Sequence, residues 1–144
     1  DHSFFVESGL LRSYSLDAQG KEHVIQFAPE NWIISDRSSV LFQEPSEFFI
    51  EAIEDSKVLI VPNNKWEKLK KQNPKWNLLL IKLLEKGYAV KEKREREFLL
   101  LDAESRYKIF LEEYPTLENR IKQHMIASYL GITPIALSRI KKKM

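Results

Sequence analysis

Gly131 separates two short apolar patterns that leave the C-terminal stretch few ways to fold. Before it, Ile126, Ala127 and Leu130 share one helical face; after it, Leu137 and Ile140 do the same. A helix stops where a residue turns left-handed, and glycine does so without a Cβ clash. Thr133 then offers an N-cap hydroxyl, and Pro134 stands at the first helical position, where a missing N–H costs nothing. Ile132 before the cap and Leu137 four positions into the helix have the spacing of a hydrophobic staple, which fixes the angle between chain and helix. Gln123 to Lys142 therefore reads as two helices crossing steeply over a tight turn, with the small Ala127 where they approach.

Such a helix-turn-helix places its second helix in the major groove of DNA. Thr133, Pro134, Ile135, Ser138, Arg139 and Lys142 fall on its outward face. The same two helices also fit an αα-hairpin that merely closes a core. Charge bears on the choice. Between Asn119 and Met144 stand Arg120, Lys122, Arg139, Lys141, Lys142 and Lys143 with no acid, so a chain of net charge +2 carries an acidic body and a basic end. That asymmetry is expected of nucleic-acid binding, although a basic helix end also suits the helix dipole.

Residues 1–61 read as strands. Phe4 to Leu16 is aromatic and aliphatic, interrupted at Ser8-Gly9. After the polar turn Asp17-Ala18-Gln19-Gly20, the stretch to Phe27 alternates, with His23, Ile25 and Phe27 on one side and Val24 and Gln26 on the other. Trp32 to Ile34, Phe48 to Ile53 and Lys57 to Val61 add three short apolar runs. Many short strands between turns predict an antiparallel sandwich or roll. The chain opens on Asp1 rather than methionine, so an incomplete roll with further strands upstream is expected.

From Pro62 the period changes to that of helices. Asn63 or Asn64 is placed to cap a short one through Trp66, Leu69 and Gln72. Pro74 starts a long one to about Leu101, in which Ile81, Leu84 and Tyr88 form a seam suited to a helix partner. The run Lys91 to Glu97 offers three opposite-charge pairs four residues apart, each adding about 0.2–0.5 kcal/mol, and reads as a solvated stretch. Phe98 resumes the apolar face. The front half is expected to pack both on the roll and on a two-fold mate; the alternative is a monomer that uses the helix internally. Asp102 starts a further helix with Tyr107, Phe110 and Leu111 inward, and Leu117 and Ile121 join the terminal core.

The expected fold class is α+β, with a roll and long helix over 1–101 (the helix about 75–101) and a helix-turn-helix module over 102–144. The absence of cysteine excludes disulfides and thiolate metal sites and suits a reducing, cytoplasmic setting. No apolar run reaches a membrane span. His2, His23 and His124 have no metal-ligand spacing, there is no phosphate loop or nucleophile elbow, and Glu112-Glu113 point to different helix faces. No enzyme, metal or cofactor is expected.

The order of parts resembles the catabolite-activator (Crp/Fnr) family of bacterial transcription regulators. GLLRSYSLDAQGKEHVIQFAPENW in the roll, LLLDAESRYKIFLEEYP after the long helix and IASYLGITPIALSRIKKK at the end carry the resemblance. It implies a cyclic-nucleotide-binding-like roll, a homodimer through the long helix, and double-stranded DNA and RNA polymerase as partners. Arg139 matches the family's base-contacting arginine; Ile135 and Ser138 lie beside it, with Gln123, His124, Thr133 and Lys142 toward phosphates. Two departures matter. Ile34-Ser35 and Ser46-Glu47 stand where nucleotide-binding members carry a Gly-Glu and an Arg-Ser/Thr pair, so no tight binding of cyclic AMP is expected. Arg37 is the cation left near that loop, and an unknown small-molecule effector stays open. Pro134 and Ile135 replace a polar pair at the start of the reading helix. That keeps a rival open: a small-molecule sensor or scaffold with weak or no DNA binding.

Overall fold

A computed structural model describes residues 2–144. Six strands come first: β1 (His2–Ser8), β2 (Leu11–Leu16), β3 (Glu22–Ala28), β4 (Ile33–Ile34), β5 (Phe49–Ala52) and β6 (Lys57–Pro62). They form two three-stranded antiparallel sheets, ordered β4-β1-β6 and β3-β2-β5. The chain is α+β, as its patterning predicts, with an antiparallel roll followed by helices.

Gly9 carries the chain from the first sheet to the second with φ at +99°, a conformation that costs a side chain strain. A Cβ there would stand 2.6 Å from Ser56 Cα and 2.7 Å from Asp55 O, so backbone leaves it no room. The adjoining Leu10 N–H donates to Ser56 Oγ at 3.1 Å, which ties this crossing to the β5–β6 turn.

Strict alternation in β3 does not survive. Ser13 pairs with Gln26 and Tyr14 with Val24, so Ile25 is an extra residue, a β-bulge. Val24 and Phe27 are both buried as a result, while His23 is exposed. The expected face of His23, Ile25 and Phe27 is thus wrong: the bulge shifts the phase midway along the strand. A second surprise is Arg12, only 4% exposed in β2 and held by Glu51 (Nε 2.9 Å, Nη2 2.6 Å) and Glu22 (2.7 Å). Its two carboxylates supply the pairing that a buried charge requires.

Helix α1 (Arg37–Phe42), absent from the sequence reading, follows β4. Asp36 caps it, and Gln43 ends it in the left-handed region. Helix α2 (Asn63–Gln72) is preceded by Pro62, so Asn63 lies inside the helix and neither asparagine caps it. Asn73 then accepts the Lys75 N–H and starts α3 (Pro74–Leu100). This 27-residue helix buries none of its residues in the single chain. The expectation that its front half packs on the roll is therefore corrected; that half lies beside α2, with an edge contact of Trp76 with Trp66, and meets the roll through a Lys86–Trp32 stack. Glu92–Arg96 and Lys93–Glu97 close at 3.5 and 3.8 Å.

Helix α4 (Ala103–Glu113) starts two residues later under an Asp102 cap, and α5 (Gln123–Leu130) and α6 (Pro134–Lys143) complete the chain. The main core is continuous: Leu10, Val24 and Phe27 of the roll pack with Tyr107, Phe110, Leu117, Ile126, Leu130 and Leu137. Val6, Leu11, Ala28 and Ile34 form a smaller cluster within the roll. No helix among the described residues is long and apolar enough to cross a membrane.

Because Gly9 meets backbone, Gly9→Ala is expected to lose more than about 2 kcal/mol of unfolding free energy through clash and strain. Urea unfolding of the two proteins measures it; a loss within error would refute the steric account.

Candidate nucleic-acid interface

The turn between α5 and α6 is made by the residues that announce it. Gly131 sits at φ 70° and ψ 31°. Its N–H donates to Ser128 O at 3.1 Å, and Ile132 N–H to Ala127 O at 3.0 Å, the paired bonds of a Schellman stop. Glycine also serves packing here, since a Cβ would lie 2.5 Å from Phe98 Cε1 of α3. Thr133 Oγ1 accepts the Ala136 N–H at 3.1 Å and Pro134 opens α6. Met125, Ile126, Ala127 and Leu130 of α5 and Leu137 of α6 are buried, and Ile132 and Ile140 pack against them.

The opposite face of α6 is open. Pro134, Ile135, Ser138, Arg139 and Lys142 are exposed. Gln123 and His124 are exposed at the start of α5, where Lys122 gives no side-chain cap. His124, Thr133 and Pro134 share a cleft of about 520 Å³ with Lys21, His23 and Arg12 of the β2–β3 hairpin. Of the sequence-predicted residues, His124, Thr133 and Pro134 are thus brought together, and Gln123 accepts from Lys141 Nζ at 3.2 Å.

The basic charge is less uniform than composition implies. Lys141 pairs with Glu118 at 2.8 Å. That bond, followed by one from the Tyr107 hydroxyl, holds the Glu118 carboxyl below its usual range. Burial, then Glu118, pushes the Tyr107 phenol up. Arg120 is engaged with Glu30 and Glu54. Lys122, Arg139, Lys142 and Lys143 remain exposed and outside the ion pairs among the described residues.

The helices are seated on β3 through polar groups that the sequence reading missed. Ser128 Oγ accepts the Val24 N–H at 2.9 Å and donates to Glu22 O at 3.2 Å. Arg94 of α3 donates to Ile25 O (2.6 Å), Val24 O (3.1 Å) and Tyr129 O (2.7 Å), with its guanidinium 4.0 Å from the Tyr129 ring centre. Burial lowers its pKa. Arg94 stands in the middle of the run read as solvated, so that reading fails at this residue. Arg106 donates to Leu101 O and Leu130 O at 2.7 and 3.0 Å, joining the end of α3 to the end of α5.

The proposed effector positions lie elsewhere, around α1. Asp36 accepts from Ser39 N–H at 3.0 Å, Ser38 Oγ at 2.9 Å and Ser46 Oγ at 2.6 Å. Burial alone would raise the Asp36 carboxyl; the Ser46 hydroxyl and the Ser39 N–H outweigh it and hold it low. Ser35 and Arg37 flank Asp36 and are half-buried, Ser46 and Glu47 are exposed, and the Glu47 carbonyl accepts from Ser15 Oγ at 3.1 Å. Asp36 was missed, although an aspartate three residues before a serine is a capping signal. Ile81, Leu84 and Tyr88 are 43%, 40% and 70% exposed along α3, far in the chain from either cluster.

The sequence model of the family described as Cyclic nucleotide-binding domain matches residues 1–73. No curated protein matches the chain significantly. Among solved structures, FixK2 from Bradyrhizobium japonicum is similar with a TM-score of 0.85 at 20% identity, covering 99% of this chain and 74% of that one. A CooA mutant from Carboxydothermus hydrogenoformans gives 0.76 at 21%, covering 99% and 66%. A CRP/FNR-family transcriptional regulator from Thermus thermophilus gives 0.78 at 17%, covering 99% and 74%. At these identities the likeness is one of fold.

The Glu30 carboxyl is held down from 4.5 to about 2, chiefly by the bond from Arg120. A depressed carboxyl stabilises the fold above its unfolded pKa and stops doing so as pH falls through the folded one. The difference in urea midpoint between the natural chain and Glu30→Gln should therefore be flat above about pH 5.5. It should narrow as pH falls from 4.5 toward about 2. A difference independent of pH would remove the ion pair from the account.

Proposed function

The chain belongs to the cyclic nucleotide-binding domain family and has the fold of Crp/Fnr regulators, and from that premise we propose that it is a sequence-specific DNA-binding transcription regulator acting as a homodimer. The observation that carries the reading is the open, partly basic face of α6 beside a buried one, on a helix whose start is fixed by Gly131, Thr133 and Pro134. Arg139 is exposed on that face and reads a guanine edge through two N–H donors. Ile135 meets a thymine methyl and Ser138 a base or phosphate. Gln123, His124, Thr133 and Lys142 hold the backbone. In this division, residues 1–101 are the sensor and dimer part and 102–144 the reader, with RNA polymerase as the eventual partner.

The dimer reading rests on α3. A helix with no fully buried residue in one chain, which exposes Leu78, Ile81, Leu84, Tyr88, Leu99 and Leu100, has more unpartnered apolar surface than isolated exposed residues account for. A two-fold mate through Ile81, Leu84 and Tyr88 would set two copies of α6 about one DNA turn, roughly 34 Å, apart.

Cyclic AMP is not the effector in this reading. The Asp36 carboxylate already occupies the N-terminus of α1, where its acceptors use the Ser39 N–H and the Ser38 and Ser46 hydroxyls. An incoming phosphate would meet that charge and the exposed Glu47, with Arg37 the one cation in α1 or its cap. Another small molecule remains a candidate occupant of the roll.

Selection of duplexes from a random pool should enrich a two-fold symmetric site. Arg139→Ala should then lose about 1–3 kcal/mol of discrimination at one base position. Lys142→Ala should weaken all duplexes alike and lower the slope of log affinity against log salt by about 1. Natural affinity and selectivity in both variants would rule out α6 as the reader. In light scattering, the natural chain should weigh as a dimer and Leu84→Asp as a monomer; a monomeric natural chain at micromolar concentration would rule out the α3 interface.

A further inference from the structure

Arg120 lies in the turn between α4 and α5, yet every bond its guanidinium makes is to the roll. Nη1 donates to Glu30 Oε2 at 3.1 Å, and Nη2 to Glu30 Oε1 at 2.8 Å. Nη2 also reaches Gly9 O at 3.1 Å and a Glu54 oxygen, and Nε reaches Glu54 Oε2 at 3.3 Å. The three partners sit in three different connections: Gly9 between β1 and β2, Glu30 between β3 and β4, and Glu54 between β5 and β6. Gly9 N–H donates in turn to Glu30 at 3.2 Å, so the acceptors are themselves joined.

The placement of this cluster matters more than its strength. Helix α5 lies against β3. Ser128, near the end of α5, is bonded to Val24 and Glu22 near the start of β3. Arg120, just before α5 begins, is bonded to Glu30, just past the end of β3. The helix is thus pinned at both ends. At its far end α5 is also held by the bonds of Arg94 to Tyr129 O and Arg106 to Leu130 O, so release of Arg120 leaves its near end to apolar contacts alone and lets it tilt about the far end, carrying α6 through Gly131. In the pinned state the outward residues of α6, Ile135, Ser138, Arg139 and Lys142, are all uncovered.

We propose that Arg120 is a positioning residue for DNA reading: it holds α5, and through it α6, in the orientation that presents the reading face, and it does not touch DNA itself. This rests on the reading of α6 given above. Its donors face carboxylates and a carbonyl of the roll, so it is withdrawn from the basic surface to which its sequence position assigns it.

The sequence has no cysteine, which allows a direct test. Spin labels placed through Lys57→Cys and Lys143→Cys report the distance between roll and α6, measured in excess unlabelled chain so that pairs within one chain dominate. The background without further change should give a narrow distribution. Arg120→Gln should broaden it while the far-ultraviolet spectrum and cooperative melting persist. If about a tenth of the population then keeps the reading orientation, affinity for the selected duplex falls about tenfold. The salt slope should not change, because no phosphate contact is lost. Glu54→Gln, which alters the roll alone, should move distance and affinity in the same direction. A narrow distribution in Arg120→Gln overturns the proposal, most plainly if the salt slope drops by about 1, the mark of a phosphate contact. Tighter binding with a broad distribution also overturns it, because the clamp would then restrain reading. Should the natural chain bind no duplex, the DNA reading itself falls, while a narrow distribution in Arg120→Gln still refutes the clamp.

Discussion

The β-bulge at Ile25 is the constraint on which the seating of the terminal helices depends. An inserted residue does two things to a strand. It frees backbone groups from the ladder, and it shifts which side chains share a face. β3 is also the edge strand of its sheet, so its outer backbone groups are open to the helices. The Val24 N–H goes to Ser128, and the Val24 and Ile25 carbonyls go to Arg94. The phase shift sends Val24 and Phe27 together into the core shared with α4, α5 and α6. A regular β3 would direct these two side chains to opposite faces and would not send both into that core. Each buried group left without a partner would cost about 1–3 kcal/mol, more for the guanidinium.

Charge follows the same division between internal and outward work. A basic end looks in composition like a single electrostatic footprint. In three dimensions Arg120 and Lys141 neutralise Glu30, Glu54 and Glu118, and the exposed cations lie along α6 and at the start of α5. The acidic body is not merely the remainder of the sum, since two of its carboxylates hold the basic module in place. A count of lysines and arginines therefore overstates the charge offered to a polyanion, and the residues that matter for recognition are the ones without a carboxylate beside them.

What could be read from the sequence was whatever local chemistry determines. Gly131, Thr133 and Pro134 dictate a turn within a few residues, and the structure has that turn. The Pro74 start of α3 and the Asp102 start of α4 are local as well. Failures occur where the deciding partner is distant or the element too short for a period. Helix α1 has six residues and exposes Leu41 and Phe42, so no apolar stripe marks it. A bulge leaves no trace in an alternating string. Arg94 sits in KEKRERE, where Lys91 to Lys93, Glu95 and Arg96 are exposed, and its contact with Val24 and Ile25, some seventy residues earlier, separates it from them. Arg120 bonds across 66 to 111 positions, and nothing within its own neighbourhood indicates a guanidinium turned inward. The outward face of α6 was legible because exposure follows from the helical period once the buried side is known. The seat beneath it was not.

The same distant contacts bear on how a signal could travel. Arg94 belongs to α3 but bonds to β3 and to Tyr129 of α5, so one side chain joins the long helix, the roll and the terminal helices. Phe98, one turn on, lies between the guanidinium groups of Arg94 and Arg106 and against Gly131. Rotation of α3 by even one residue, about 100°, would carry Arg94 off all three carbonyls together. Carbonyls buried without donors are costly, so small rotations are resisted and a large one must find new partners for every group. A joint of this kind favours discrete arrangements over graded bending, because packed, hydrogen-bonded interfaces deform poorly. Whatever alters the path of α3 would therefore reach α6 through Arg94 and Phe98 before it reached it through any loop.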